Sequence, residues 1–348
     1  MIDQKRIIAF TRRLLIRIAL AGFALLGLSI IAFVIARVLP GDPVRFALGP
    51  STPEWVADRL REQMNLDKPI YIQYVLWLRD ALSGNLGESL FTRQSVTSDI
   101  LRLMPATLEL ILYSIFIQIG VAIVLGVLSG RYANSLIDNL IRVFSYLGAS
   151  IPHFVTSIIL IFIFGLTYGI LPYRGRLSSS IAMPPRITGM VTIDALFAGN
   201  LVTFADAFLH IILPALAASF VNTAVLARII RAGVVENKDQ DYIMMATSHG
   251  IPERVIMLKY LLKPSIIPAV AVMGLTAASM LSYLFVIESI FSWPGFAWYG
   301  MNAMVTKDLN AMVGVIVVTG LVYAAINIVV DLVTEYLDPR IRTTVVSK

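Results

Sequence analysis

The sequence predicts an all-helical integral membrane protein with six transmembrane helices. The 348-residue chain is 57% hydrophobic and only 14% charged, with a mean hydropathy of +0.80, whereas soluble domains carry about 25% charged residues. This composition excludes a soluble enzyme, a disordered chain and a nucleic-acid-binding domain. A membrane-spanning helix needs about 20 apolar residues. Six uncharged stretches of 19 to 31 residues meet that length: 18–36, 110–130, 143–173, 207–227, 264–287 and 309–330.

The first span follows a basic segment that ends at Arg17, and Arg37 comes directly after it. It contains no small-residue cleavage site, so residues 1–38 are predicted to be a cytoplasmic N-terminus and a permanent helix rather than a cleaved signal peptide. Lys and Arg are concentrated in four segments on one side of the spans: 1–17, 131–142, 228–263 and 336–348. The positive-inside rule therefore places both termini in the cytoplasm.

Residues 39–104 are predicted to form a helical extracytoplasmic segment. Thr52-Pro53-Glu54 supplies an N-cap, a first-turn proline and a first-turn acid for a helix through Met64. Apolar residues at helical spacing predict a second helix that ends at Ser83-Gly84-Asn85. We expect these helices to pack as a cap on the bundle, and a docking surface for an outside partner is the alternative.

Residues 105–335 are predicted to hold the other five spans, followed by a cytoplasmic tail, 336–348. The third span is long enough for a membrane crossing plus a break, and Pro152 lies inside it. The external segment 174–206 is rich in Ser, Pro and Gly. We expect an irregular connector there, with a flexible gate as the alternative.

The cytoplasmic loop 228–263 is predicted to contain a short helix capped by Asp239 or Asp241. Gly250 can end this helix in the left-handed conformation, and Pro252 can start the next helix at its first position. Apolar residues interrupt the charges of the loop: Tyr242, Ile243, Met244 and Met245. Exposed apolar clusters usually mark contact sites. We therefore expect a helix that fits a partner's groove, and a solvated connector is the alternative.

Several kinds of chemistry have no residues to support them. The chain has no cysteine, and its three histidines are too far apart for metal-ligand spacing: His153, His210 and His249. No phosphate-binding G-x-x-x-x-G-K-[ST] loop, H-E-x-x-H or G-x-S-x-G occurs. We predict no catalytic residue, metal or cofactor. The middle of every span is uncharged, which disfavours an ion-coupled carrier and indicates that a partner supplies the energy.

Small residues recur on two spans, and close helix packing is their default interpretation. Lining a polar passage is the alternative. The residues are Gly120, Ala122 and Gly126 in the second span, and Gly274, Ala277, Ala278 and Ser279 in the fifth.

Eight short strings, taken together, carry a family resemblance. They are Gly41-Asp42-Pro43, Leu66-Asp67-Lys68-Pro69, Gly84-Asn85-Leu86-Gly87-Glu88-Ser89, Pro105-Ala106-Thr107-Leu108-Glu109-Leu110, His210-Ile211-Ile212-Leu213-Pro214-Ala215, Asp241-Tyr242-Ile243 through Ala246 with Gly250, Glu288-Ser289-Ile290-Phe291-Ser292-Trp293-Pro294-Gly295, and Leu337-Asp338-Pro339-Arg340-Ile341-Arg342. In this order and spacing, nearly the whole chain resembles the permease subunits of ATP-binding-cassette importers for dipeptides, oligopeptides and nickel, specifically the first of the two paired permeases.

The resemblance implies a type I importer permease fold in a bacterial or archaeal cytoplasmic (inner) membrane. It also implies four partners: a sibling permease, two cassette ATPases that hydrolyse ATP, and an extracytoplasmic solute-binding protein. It further implies contact with the lipid bilayer and no nucleic-acid partner. The implied function is import of di- or oligopeptides. A nickel chelate or another small solute is the alternative, and an ion-coupled secondary carrier is a more distant one.

The resemblance also assigns residues to roles. The ATPase-coupling residues are Asp241, Tyr242, Ile243, Met244, Met245, Ala246 and Gly250. The Met244-Met245 pair departs from the family, in which a glutamate or an arginine-threonine pair usually precedes the alanine. Ser282-Tyr283-Leu284 replaces a run of small residues. Apart from the resemblance, polar residues in otherwise apolar spans are candidates for the translocation pathway: His153, Ser279 and Tyr283. A packing role is the alternative for each of them, and for Tyr283 it is the preferred one.

Overall fold

The computed structural model describes residues 4–38, 42–49 and 51–337. Over these residues the regular structure is helical, with one isolated bridge between Glu88 and Ser95. The helices are α1 (Gln4–Val38), α2 (Pro43–Leu48), α3 (Glu54–Gln63), α4 (Ile70–Leu82), α5 (Val96–Arg131), α6 (Leu136–Ser150), α7 (His153–Leu160), α8 (Val191–Phe197), α9 (Leu201–Lys238), α10 (Asp241–Ser248), α11 (Glu253–Val255), α12 (Leu262–Ile290), α13 (Phe296–Val305) and α14 (Leu309–Leu337). The all-helical fold class is confirmed.

The chain divides into two compact units. Unit 1 comprises Met1–Pro105 and Gly295–Ile328, and unit 2 comprises Ala106–Pro294 and Val329–Lys348. Most of the predicted tail, residues 338–348, lies outside the described residues, as do Gly41 and the residues after Leu337 in the last family string.

Among the described residues, five stretches of helix are long and apolar enough to cross a membrane: Leu15–Val38, Val96–Arg131, Leu201–Lys238, Glu253–Ile290 and Leu309–Val330. A sixth crossing is formed only if α6 counts as one span with α7 and the π-helical segment Ile161–Thr167 that continues it. These two parts are bent by 110° at a short break. The break falls at the predicted position. Ile151 is extended and Pro152 follows it, because proline disfavours a helical residue before it.

In unit 1, α4 packs along the C-terminal third of α1. The buried Phe33 ring lies 5.4 Å from the ring of Tyr74 and 5.8 Å from that of Trp77. The hydroxyls of Ser29 and Tyr74 are 2.9 Å apart. The contacts place α4 beside α1. The predicted helix and its end at Ser83 are confirmed.

The predicted N-cap of α3 is wrong. The helix begins at Glu54, and Pro53 occupies the cap position without a side-chain cap. The Thr52 hydroxyl instead donates to the Leu48 carbonyl at 2.7 Å. Thr52 lies one position before the N-cap, and its hydroxyl bonds back to the end of α2.

In unit 2, α9 is the central helix and packs against α6, α7, α8 and α12. A Cβ on Gly126 of α5 would lie 2.7 Å from the Ile230 Cβ and 2.8 Å from the Ala227 carbonyl oxygen, whereas one on Gly120 would meet nothing within 4 Å. Gly274 is similarly crowded by Val330. The close-packing interpretation is confirmed at Gly126 and Gly274, whereas at Gly120 no contact among the described residues supports it.

We expect Gly126→Ala to destabilise the folded chain by about 1–3 kcal/mol, because the added methyl group overpacks the α5–α9 contact. Gly120→Ala is the matched control, since alanine favours a helix and the position is open. The two unfolding midpoints of the purified chain in detergent give the comparison. A Gly126→Ala midpoint equal to that of Gly120→Ala would contradict the close contact.

Part of the segment 174–206 is more ordered than expected. It contains α8, and α9 begins as early as Leu201. The Asp194 carboxylate accepts hydrogen bonds from the Thr188 N–H and hydroxyl, both at 2.7 Å, and from the Gly189 N–H at 2.9 Å. Burial would raise the pKa of Asp194, but these bonds outweigh it and hold the pKa below its ordinary value. The expectation of an irregular connector is therefore confirmed for 174–190 and wrong for 191–206.

Candidate functional site

Helix α10 lies between α9 and α11 and forms the predicted short helix of the 228–263 loop. It begins at Asp241, and Gln240 occupies the N-cap position without a side-chain cap. The prediction that Asp239 or Asp241 caps the helix is therefore wrong. Asp241 lies in the first turn instead, where its negative charge interacts favourably with the helix dipole and stabilises α10.

Gly250 ends the α10 region in the left-handed conformation, with a φ of 70°. Its N–H donates to the Thr247 carbonyl at 3.0 Å, and the Ile251 N–H donates to the Ala246 carbonyl at 3.2 Å. These bonds satisfy carbonyls left over at the helix end. The predicted glycine turn is confirmed. The prediction that Pro252 is the first residue of the next helix is wrong, since Pro252 is the N-cap and α11 begins at Glu253.

Helix α10 has one buried face and one exposed face. Ile243 and Ala246 are buried and form a cluster with Ile256 and Leu261. The exposed face, which we call the α10 face, consists of Tyr242, Met244 and Met245; each methionine is 63% exposed. The helix thus presents flexible apolar side chains on its exposed face, while its buried face packs against Ile256 and Leu261.

The helices on both sides of α10 are fastened to the end of α5 and the start of α6. The fully buried Asp138 carboxylate accepts hydrogen bonds from Arg231 of α9 at 2.6 and 2.7 Å. It also accepts from the Ser129 hydroxyl at 2.5 Å. Arg131 forms an ion pair with Glu253 of α11 at 2.8 Å. Sequence reasoning missed both pairs, and only the opposite charges near span ends could have indicated them.

Two of the three predicted pathway residues lie in contact within unit 2. The His153 ring stacks on the Tyr283 ring with centroids 3.8 Å apart and planes 13° apart. The Tyr283 oxygen accepts a hydrogen bond from the Asn222 side chain at 2.7 Å and donates to the Ala218 carbonyl at 3.3 Å. We call His153, Asn222 and Tyr283 the polar cluster. Asn222 was missed, although an amide inside the 207–227 span is a signal for it.

Ser279 lies one turn before Tyr283 on α12, but its hydroxyl donates to the Thr276 carbonyl at 2.9 Å rather than to the polar cluster. Thr276 in turn accepts a hydrogen bond from the buried Gln118 of α5 at 3.2 Å. The α12 helix therefore carries polar groups over two successive turns of an apolar span.

Two of the family strings contact each other at the other end of unit 2. The Thr107 hydroxyl donates to the buried Glu288 carboxylate at 2.6 Å, and the Trp293 indole N–H donates to the Ala106 carbonyl at 3.0 Å. The adjacent Glu109 pairs with Arg176 at 2.6 Å. These bonds fasten the segment 174–206 and the end of α12 to α5.

Comparison with known proteins identifies the family. Residues 122–343 match the family described as binding-protein-dependent transport system inner membrane component, and residues 10–111 match the N-terminal region described for such components. These matches cover both units and the polar cluster.

Similar proteins are found in several bacteria. The chain is 35% identical to the probable D,D-dipeptide transport system permease protein DdpB of Escherichia coli K12, over 90% of this chain and 93% of that protein. It is 33% identical to the di/tripeptide permease DppB of Pseudomonas aeruginosa UCBPP-PA14, over 91% and 94%. It is 32% identical to the dipeptide permease DppB of Alkalihalophilus pseudofirmus OF4, over 95% and 98%.

These matches confirm the resemblance inferred from the short strings and the prediction of a transport subunit rather than an enzyme. They place the chain, with its several membrane-spanning helices, in an inner membrane. The chain is a member of the family of inner membrane permease components of binding-protein-dependent transport systems.

Proposed function

We propose that the chain is a permease subunit of an ATP-driven importer of di- or oligopeptides. The observation that carries this proposal is its identity of 32 to 35% with three permeases named for dipeptide or di/tripeptide transport, over at least 90% of this chain. None of these three names refers to nickel, which disfavours the nickel alternative.

The complex would contain a sibling permease, two cassette ATPases and an extracytoplasmic binding protein. The sequence lacks a nucleotide-binding loop, so the energy must come from another chain. The α10 face suits the contact with an ATPase, since Met244 and Met245 are apolar and exposed while Ile243 and Ala246 fix the helix. Asp241 and Gly250 define the two ends of this contact.

Both termini would lie in the cytoplasm. The segments assigned to that side hold 16 Lys and Arg in 78 residues, compared with 12 in 122 residues on the other side. The difference supports this orientation under the positive-inside rule. It places α10 in the cytoplasm, on the side where ATP is available, and the segments 39–104 and 174–206 outside, where a binding protein would deliver its solute.

The proposal is tested by uptake into proteoliposomes that contain all five components and ATP on the ATPase side. We expect accumulation of a labelled dipeptide that requires ATP and the binding protein and persists after ionophores collapse the ion gradients. Uptake that continues without ATP and stops with an ionophore would establish a secondary carrier. Uptake of a nickel chelate with no uptake of peptide would assign the alternative substrate.

Gly250→Val is expected to lower uptake at least several-fold while ATP hydrolysis continues. Valine is strained at a φ of 70° by roughly 1–2 kcal/mol, and within the described part of the chain no neighbouring atom lies within 4 Å of the new Cβ. Only the turn after α10 is therefore disturbed. Gly250→Asn is the matched control because asparagine tolerates this conformation. Uptake by the valine variant equal to that by the asparagine variant would count against the coupling role of the turn.

We propose that the polar cluster and Ser279 line the translocation pathway. The cluster supports this role because it places an imidazole, an amide and a phenol together inside apolar spans, where polar groups are costly unless they are used or paired. Peptides expose amide and carboxylate groups along their length, and such a lining can replace part of their hydration.

Tyr283→Ala is expected to raise the KM for peptide uptake several-fold, because it removes both the ring stacked on His153 and the acceptor for Asn222. Tyr283→Phe keeps the stack and should change KM less. Tyr323→Ala, at an exposed position of α14, is the control. Unchanged KM values in the folded Tyr283→Ala and His153→Ala variants would show that the cluster only packs the helices together and does not contact the peptide.

A further inference from the structure

A cavity of about 440 Å³ lies in unit 1 at the C-terminal end of α1. Its volume is within the range of about 300–1,000 Å³ that is usual for small-molecule sites. Its lining combines basic, amide and apolar side chains, among them Arg37, Lys68, Gln73, Lys307, Leu309 and Met312. This combination suits a ligand with an anionic group and an apolar part.

Arg37 presents an unused donor at this cavity. Its Nε donates to the Gln73 side chain at 2.8 Å, and the guanidinium lies 4.5 Å from the Phe33 ring centroid. Its Nη1 is buried and meets no hydrogen-bond partner among the described residues. A buried cationic donor without an acceptor is costly. The planar guanidinium matches the oxygens of a phosphate, so such a group would satisfy it.

The charges around the cavity are unbalanced. Asp42 contributes a carboxylate, but it forms an ion pair with Arg61, which also lines the cavity. The remaining charged lining residues are Arg37, Lys68 and Lys307, all cationic, and Lys307 has a further interaction of its own. Arg37 and Lys68 therefore give the cavity a surplus of positive charge, and its electrostatic complement is an anion.

The position of the cavity points to the membrane surface as the source of that anion. Arg37 lies one residue before the end of α1, and Lys307 lies two residues before the start of α14, both of which are membrane-spanning helices. Helix α4 contacts α1 through Tyr74 and exposes Tyr71, Val75 and Leu82 on its other side. An exposed apolar face beside a membrane helix is typical of a helix lying in the interface.

We propose that this cavity binds the phosphate of an anionic phospholipid from the leaflet at the C-terminal end of α1. Arg37 binds the phosphate oxygens, Lys68 and Lys307 supply the surrounding positive charge, and Leu309 and Met312 contact the apolar part of the lipid. The bound lipid would join the end of α1 to the beginning of α14 within unit 1. Basic pockets between membrane helices are known to hold such head groups.

The test is native mass spectrometry of the full chain after reconstitution in equal parts of phosphatidylglycerol and phosphatidylethanolamine. We expect the wild-type chain to retain phosphatidylglycerol in preference, and Arg37→Gln to lower that retention about fivefold, as expected for the loss of one basic contact. Arg79→Gln is the control, because Arg79 lies on α4, pairs with Asp80 and is outside the lining. Lys68→Gln provides a second variant at an exposed position in case Arg37→Gln does not fold.

Equal retention of the two lipids by the wild-type chain, or equal loss in the Arg37→Gln and Arg79→Gln variants, would overturn the proposal. A second arm adds inorganic phosphate to the delipidated chain. Binding of phosphate that also displaces phosphatidylglycerol would overturn the lipid assignment and leave a site for free phosphate. Retention of the lipid in excess phosphate would support the proposal.

Discussion

Replacement of both Met244 and Met245 by aspartate is expected to abolish ATP-driven uptake, with a loss of at least about a hundredfold. Each methionine is 63% exposed, so the substitution adds charge to solvent-facing positions and leaves the α10 core of Ile243 and Ala246 untouched. The folded chain should therefore retain its stability. A contact that buries these two side chains would instead have to bury two unpaired carboxylates, which costs several kcal/mol.

The measurement compares three properties of the reconstituted importer: peptide uptake, ATP hydrolysis, and co-purification of the ATPase subunits. Met244→Leu/Met245→Leu is the matched control, since leucine keeps the volume and apolar character of the contact. Aspartate variants that bind the ATPases and take up peptide normally would show that the α10 face is not the contact surface.

The sequence predicted the membrane architecture well because the cost of burying charge in lipid is large and local. Five of the six uncharged stretches have a counterpart among the spans of the described residues, and the third corresponds to the bent pair α6 and α7, which is a sixth crossing only if the pair counts as one span. Pro152 signalled that break because proline restricts the residue before it. Gly250 likewise signalled a turn that requires a positive φ.

The errors concern interactions whose alternatives differ little in energy. The Thr52 hydroxyl could cap α3 or bond to the preceding helix, and a sequence does not tell which partner is closer. Helix α8 is short and lies in a segment rich in Ser, Pro and Gly, and the hydrogen bonds from Thr188 and Gly189 to Asp194 help to hold it.

The candidate site was predicted in its separate residues but not in its arrangement. His153 and Tyr283 stood out as polar residues in apolar spans, yet they are 130 positions apart, and their stacking depends on how α7 and α12 pack against α9. Asn222 joins them from α9 itself. Long-range contacts of this kind follow from helix packing, which the pattern of apolar residues constrains only loosely.

The second large effect is expected at the ion pair between Asp138 and Arg231. Arg231→Gln should destabilise unit 2 by about 3 kcal/mol, because it leaves the Asp138 carboxylate buried without its bidentate partner. Asp138→Asn should cost less, since the Arg231 side chain is 21% exposed and can remain hydrated. Arg231→Gln is therefore expected to lose more stability than Asp138→Asn, because it leaves the more buried of the two charges unpaired.

The double variant Asp138→Asn/Arg231→Gln distinguishes an ion pair from two independent packing contacts. It removes both charges, so it should be more stable than Arg231→Gln alone, and the coupling energy should be at least about 1 kcal/mol. Unfolding midpoints of the purified chain in detergent measure the cycle. Strictly additive losses would show that Asp138 and Arg231 contribute separately. Coupling would mean that the pair holds the C-terminal part of α9, which leads into α10, against the first turn of α6.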